Sequence, residues 1–308
     1  MKNALLKHEA KAWTQYWSQT PSAAASCLPN LPAIVTSHLQ KLWCTFFDTL
    51  PFGASLLDLG TGNGALLSRA RTSRQDLHLT GIDYAASLPE MGNGIIMLPK
   101  TRMDQLPFGD GAFDAITSQF AIEYSSIPAV LPEVDRVLAK SGNYLFLCHH
   151  ADGVIVRDNQ ARAAAINSLL SHAGLIDSAI NAVRQREKSS PATKQRLARL
   201  FDAVRRKYPD QPVVYEVADD IARIMAAPES LEKLMALRRN IRMEQERTTA
   251  LCKAALTESR ATAFTEILSA KHRPAHLSVV HVPKVRAPFA WRISNWNPPL
   301  VEADCKRG

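Results

Sequence analysis

The sequence predicts an α/β fold, a doubly wound and mainly parallel sheet of seven strands with helices on both faces. Three observations predict it. Between positions 54 and 150 five short apolar or β-branched runs, "SLLDLG", "LHLTGID", "GIIMLPK", "FDAITSQF" and "GNYLFLCHH", alternate with helical or loop segments. Strand and helix in alternation mean a parallel sheet covered on both faces. The first run passes through Gly60, Gly62 and Gly64 into "ALLSRA", which gives a strand, a glycine turn and a helix N-terminus in succession. Near the end, "AHLSVVHVPKV" and "PFAWRISNW" read as two further strands with a Pro-bearing turn between them.

The elements divide the chain into four parts. Positions 1–50 form an N-terminal helical cap, because "ALLKHEAKAWTQYW" and "LPAIVTSHLQKLWCTFFDTL" carry apolar residues at helical spacing and "SQTPSAAASCLPN" between them is a loop. Positions 51–150 are the α/β core. Positions 151–273 change to an almost purely helical period and read as an all-α insertion. There Ser190 is placed to cap a helix whose first residue is Pro191, and "PESLEKLMALRRNIRMEQERTTALCKAAL" carries Leu231, Leu234, Met235, Ile241, Thr248, Leu251, Cys252 and Ala255 on one stripe. Positions 274–308 return to the sheet and complete it.

Composition narrows the class. A chain of 308 residues, 46% hydrophobic, is long enough to bury a full core. No run approaches the eighteen or so uninterrupted apolar residues of a membrane span, and the start "MKNALLKHEAKAW" lacks the apolar run of a signal peptide, so a cytoplasmic location is expected. The five cysteines, Cys27, Cys44, Cys148, Cys252 and Cys305, are scattered, with no CxxC pair and no zinc spacing; reduced thiols and no metal are expected. The net charge of +8 suits a polyanionic partner, yet the basic residues alternate with glutamates on helix faces and no arginine–aromatic interleaving is present. Nucleic acid is therefore disfavoured as a partner.

The glycine turn carries the chemistry. A dinucleotide fingerprint reads GxGxxG, whereas Gly60, Gly62 and Gly64 read GxGxG, and the acid Asp58 lies two residues upstream. A pyrophosphate disfavours a nearby carboxylate, while an amino acid moiety with its ammonium group favours one. Asp58 thus points away from a dinucleotide and toward S-adenosylmethionine. Asp83, about twenty residues beyond the last glycine at the end of the next strand, is placed to take two adjacent ribose hydroxyls.

Five pieces in order, "LLDLGTGNG", "GIDY", "MDQLPF", "FDAITSQFAIEY" and "EVDRVLAKSGNYLFL", resemble the class I S-adenosylmethionine-dependent methyltransferases, and among them the group that includes the quinone-biosynthesis C-methyltransferases. The resemblance covers roughly 54–148. It implies a Rossmann-like methyltransferase sheet ending in an antiparallel edge hairpin, Asp58 near the methionine ammonium, and Gly60, Gly62 and Gly64 facing the cofactor. It further implies Asp83 on the ribose, Asp104 on the adenine amino group, Leu106 packed on the ring, and Gln119 lining the methionine end through its backbone. Ordinary strand-end capping is the alternative for Asp58 and Asp104, and plain core burial the alternative for Leu106.

The reaction so implied is methyl transfer by in-line displacement to a small organic acceptor, with oxygen, nitrogen and carbon all open as the methylated atom. Glu123 and Tyr124 follow the fourth strand at the mouth of the site. Quinone-type relatives often carry a histidine near the Glu123 position, so the carboxylate departs from their pattern. His149 and His150 end the fifth strand and join Glu123 as candidate catalytic groups, with capping or solvent exposure as their alternative. Tyr16 and Trp17 are placed to close over the cofactor from the cap and, with Tyr124, to meet the acceptor; helix packing is their alternative. Cys148 reads as a buried strand cysteine. The insertion, directly after the fifth strand, is expected to be an acceptor lid. The rival readings are an RNA methyltransferase or a non-catalytic RNA- or partner-binding module on the same fold, and a nicotinamide-dependent oxidoreductase.

Overall fold

A computed structural model describes Trp13, Thr14, Tyr16, Trp17, residues 33–270 and residues 274–296. The remainder of the cap, with its loop and Cys27, and the last residues, with Cys305, lie outside the described residues. The chain falls into two compact units. The described residues up to Ile155 and from Ala254 onward make one, and Val156–Lys253 makes the other.

The first unit is built on a seven-stranded sheet. Strands β1 (Ser55–Leu59), β2 (His78–Ile82), β3 (Ile96–Leu98), β4 (Phe113–Gln119), β5 (Leu138–His149), β6 (His276–Val280) and β7 (Ala290–Ser294) stand in the order β3-β2-β1-β4-β5-β7-β6. The pairs among β1 to β5 are parallel; β7 runs antiparallel to both β5 and β6, so the chain ends in the expected hairpin. The central strands have both faces covered, which is why "SLLDL" and "YLFLCH" are continuous apolar runs rather than alternating ones. Asn295 fixes the hairpin end: its side chain accepts from the Tyr144 N–H at 2.8 Å and donates to the Gly142 carbonyl at 2.9 Å.

Helices flank this sheet. α1 (Ala33–Asp48) buries Val35, Leu39, Trp43, Phe46 and Phe47, a single stripe at helical spacing, and ends before Pro51. α2 (Ala65–Ser73) follows the glycine turn, and α3 (Ile127–Val137) connects β4 to β5.

The second unit consists of α4 (Val154–Leu169, whose first turn belongs to the sheet unit), α5 (Leu175–Arg184), α6 (Pro191–Lys207), α7 (Pro212–Ala226) and α8 (Ser230–Ala254). It has its own core, in which Ile166, Leu169, Ile176, Ile180, Val213, Val217, Ile221 and Leu234 are buried together. The Ser190 hydroxyl caps α6 by accepting from the Thr193 N–H at 3.1 Å. The buried stripe of α8 differs from the sequence reading: Leu231, in the first turn, is 38% exposed, and burial runs through Leu234, Leu237, Ile241, Thr248 and Leu251.

The end of the insertion also differs. Residues 254–270, read as part of 151–273, pack with the sheet. Leu256 exchanges backbone hydrogen bonds with the strand end, its N–H donating to the His149 carbonyl and its carbonyl accepting from Ala151, both at 2.9 Å. The Trp291 indole N–H donates to the same carbonyl at 2.8 Å. α9 (Glu258–Ser269) then buries Ala261, Phe264 and Leu268 among Phe146, Trp291 and Ile293. Helical periodicity alone assigned this segment to the insertion, whereas its apolar face is complementary to the sheet.

Candidate functional site

The strand order reverses between β1 and β4, and such a reversal leaves a crevice outside the carboxyl ends of the strands. A cleft opens there. Asp58, Gly60 and Thr61 from β1 and its turn, Asp83, Tyr84 and Ala85 after β2, and Gln119, Phe120 and Ala121 after β4 line it, and Trp13, Trp17, Met103 and Tyr124 close it.

The turn itself is tight. Gly60, Gly62 and Gly64 take φ of 70°, 56° and 77°, the left-handed region that glycine alone enters freely. A Cβ on Gly60 would stand 2.3 Å from the Ala121 Cβ, and one on Gly62 would stand 2.5 Å from the Trp17 ring. The backbone donors of the turn are engaged within the protein. Gly60 and Thr61 donate to the Ile82 carbonyl at 2.9 Å, Gly64 donates to Thr61, and Gly62 donates to Asp83 Oδ2 at 3.0 Å. Four N–H groups that a pyrophosphate would require are thereby committed.

The electrostatics of the cleft are one-sided. Asp58 is only 3% exposed and accepts from the Thr117 hydroxyl at 2.9 Å. Burial pushes its carboxyl up to about 7, against the hydrogen bonds it accepts and with a smaller push from Asp83. Asp83 is likewise raised by burial, opposed by the N–H groups of Ala85 and Gly62 that its two oxygens accept. Among the described residues no Lys, Arg or His lines the cleft. A buried acid, Asp58, and a half-buried one, Asp83, therefore face a cavity walled by aromatic rings, an environment suited to a cationic ligand.

A second buried pair sits behind the aromatic wall. Glu123 Oε1 accepts from the His149 backbone N–H at 2.8 Å and meets His149 Nδ1 at 2.7 Å, with both side chains buried. The His149 ring lies 4.5 Å from Phe120 and 6.2 Å from Tyr124, the two aromatics that line the cleft at this end. Nε2 of His149 finds no protein partner among the described residues.

The structure thus gathers Asp58, Gly60, Asp83, Gln119, Trp17 and Tyr124 around one cleft, with Glu123 and His149 directly behind it. Gln119 is held by the Trp43 indole, which donates to its Oε1 at 2.6 Å. Other sequence-predicted residues stand apart. Gly62 lies beneath Trp17 and Gly64 beside Met91, neither in the lining. Asp104 is forked by Arg102 at 2.8 and 2.6 Å, and Leu106 belongs to the core cluster. His150 stacks on Trp291 at 4.3 Å and accepts from the Asp152 N–H, a packing role. Tyr16 packs edge-on against Trp13 and Trp17 and does not line the cleft.

Among the lining residues that the sequence did not single out are Trp13, Met103 and Phe120. Trp13 precedes Trp17 by four positions, so the two rings share one helical face and stack at 5.8 Å; that spacing was the available signal. Met103 and Phe120 fell inside quoted motifs, but nothing local marks them as cleft residues. Phe120 has a φ of 57°, a left-handed position for an aromatic residue beside the site.

Residues 57–146 match the family model described as "Methyltransferase domain". The matched stretch falls within the α/β core, on strands β1 to β5 of the seven-stranded sheet. The chain is 30% identical over 149 residues to the demethylmenaquinone methyltransferase of Roseiflexus castenholzii, covering 46% of this chain and 62% of that protein. It is 31% identical over 104 residues to the ubiquinone/menaquinone biosynthesis C-methyltransferase UbiE of Citrifermentans bemidjiense, covering 30% of this chain and 44% of that one. The chain therefore spans less than two thirds of either relative. Among solved structures, a SAM-dependent methyltransferase from Aquifex aeolicus aligns at 18% identity with a TM-score of 0.31, over 37% of this chain and 65% of that one. No helix among the described residues is long and apolar enough to cross a membrane, and no group of His, Cys, Asp or Glu among them is arranged to hold a metal.

Proposed function

We propose that this protein is an S-adenosylmethionine-dependent methyltransferase acting on a small organic acceptor of the quinol or phenol type. The observation that carries the reading is Asp58, a buried carboxyl in a cleft whose described lining holds no cation. The residues fit the cofactor. Asp58 would hold its ammonium, and Asp83, fixed by the backbone N–H groups of Gly62 and Ala85, would take the ribose hydroxyls. Trp13, Trp17, Phe120 and Tyr124 would pack on its cationic end. When bound, the sulfonium supplies an electrophilic methyl group.

Glu123 and His149 position the cleft wall in this reading. Glu123 fixes the His149 ring through Nδ1, and the buried imidazole in turn backs Phe120 and Tyr124, the rings that line this end of the cleft. Val156–Lys253 is the acceptor lid, an assignment supported by its place in the chain directly after the carboxyl edge of β5.

Isothermal titration tests the reading. S-adenosylmethionine and its demethylated product should bind saturably, NAD should not, and labelled methyl should pass to a quinol or phenol in a mass-spectrometric screen of acceptors. Saturable NAD binding with no response to S-adenosylmethionine would sink it. The committed backbone donors of the turn favour it over the oxidoreductase.

A further inference from the structure

Within Val156–Lys253, α6 and α7 are joined by a four-residue link and touch each other, and a groove lies between them. α6 has no fully buried residue; Leu197, Leu200, Phe201 and Val204, its apolar stripe, are only partly covered. A cavity of about 470 Å³ runs beneath it, lined by Leu197 and Phe201 from α6 and by Ile221 and Met225 from α7, with small alanines along the rest. That volume lies in the range of small-molecule sites, roughly 300–1,000 Å³.

The groove has a polar end and an apolar end. Lys188 and Lys194 stand at one end, beside the N-terminus of α6. Lys188 Nζ donates only to neutral oxygens, the Ala227 carbonyl at 3.3 Å and the Ser230 hydroxyl at 3.2 Å, and no ion pair among the described residues engages either lysine. α6 carries Lys194, Arg196, Arg199, Arg205, Arg206 and Lys207 against the single acid Asp202, while α7 carries Glu216, Asp219 and Asp220 against Arg223. From Lys194 to Phe201 the helix advances about 10 Å, the reach of a medium-length alkyl chain.

We propose that this groove binds a single-chain amphiphile with an anionic head, a carboxylate or phosphate, its head at Lys188 and Lys194 and its chain along α6 toward Phe201. A chain there covers the half-exposed stripe of α6, and the head answers two cations that the protein does not neutralise itself. The site shares no lining residue with the sheet cleft. A basic helix without the groove would suit RNA equally; the apolar cavity between Leu197 and Ile221 favours the amphiphile.

The test uses the full chain. Decyl phosphate and decanoate, titrated calorimetrically, should bind saturably, inorganic phosphate far more weakly, and decyltrimethylammonium not at all. Replacing Lys188 and Lys194 together by Ala should weaken decyl phosphate roughly tenfold or more while decanol binding is unchanged, and the double Arg replacement should retain affinity. Ala222→Trp should block both ligands, with circular dichroism confirming the fold; the exposed Lys194 change alone serves if that variant fails to fold. Titration with phosphatidylglycerol vesicles separates the two sources of the head group. Binding to vesicles without response to the free amphiphile overturns the proposal, as do decyl phosphate affinity unmoved by the lysine changes and salt-sensitive RNA binding lost with the same lysines in a protein that ignores decyl phosphate.

Discussion

Burial holds the Asp58 carboxyl up to about 7 and shifts Asp83 in the same direction, and both effects have consequences for pH. With the folded-state value above the unfolded one, the folded chain binds more protons between about 4 and 7, so stability falls as pH rises through that window. Asp58→Asn removes this cost. The variant should be more stable than the parent above neutrality, by at most about 4 kcal/mol, measured by denaturant unfolding at several pH values. A strand-end cap would give the opposite sign. Binding responds inversely. A ligand ammonium requires the ionised carboxylate, so affinity for S-adenosylmethionine should climb with pH up to about 7 and level off, and Asp58→Asn should bind weakly with no such climb. Equal pH slopes in parent and variant would show that another group meets the ammonium. Behind the wall, Glu123→Gln should lower kcat by roughly ten- to a hundredfold with little change in cofactor affinity, since it removes the carboxylate that orients His149 and leaves Asp58 and Asp83 in place. A variant with parental kcat would reduce the pair to packing.

At the scale of elements, the β1–α2 turn gives the sharpest test, because its constraints are backbone ones. Gly62→Val puts a β-branched side chain at a φ of 56° and into the Trp17 ring, so it should destabilise the protein by about 1–3 kcal/mol and abolish cofactor binding. Thermal unfolding and titration read the two effects separately; a variant that binds as the parent does would place the ligand elsewhere. The turn was legible in sequence because strand, glycines and helix are consecutive, as Asp58 and Asp83 are tied to it by short spacing. Glu123 and His149 were both read as candidates from their positions at strand ends, but their pairing across 26 residues is a tertiary fact without a local signal. Trp13 was legible and passed over. Asp104 carries the motif spacing, yet its oxygens are held by Arg102 two residues earlier, an i to i+2 ion pair that no motif encodes. α9 was legible as a helix and illegible in allegiance, since the 3.6-residue period says which face is buried and not against what.

That allegiance decides how the whole molecule can be cut. A deletion along the boundaries read from sequence, 151–273, would remove Leu256 from its hydrogen bonds to the end of β5 and strip Phe264 and Leu268 from the sheet core. Loss of one such buried aromatic costs about 3–5 kcal/mol, a large fraction of the roughly 5–15 kcal/mol by which domains are stable. That product should not fold. Removing 156–253 instead leaves α9 in place, and the cut ends are adjacent, since Cys252 Sγ lies 3.9 Å from the Val156 carbonyl and Ala151 is bonded to Leu256. A short Gly-Ser link joining Ile155 to Ala254 should therefore give a folded protein that binds S-adenosylmethionine with near-parental affinity, because the residues lining the cleft all belong to the remaining unit. If Val156–Lys253 is the acceptor lid, methyl transfer to the small acceptor is lost in this protein while cofactor binding persists. Methyl transfer at the parental rate by the shortened chain would remove the lid from the proposed function, and loss of cofactor binding in a protein with native circular dichroism would show that the cleft depends on the helical unit as well.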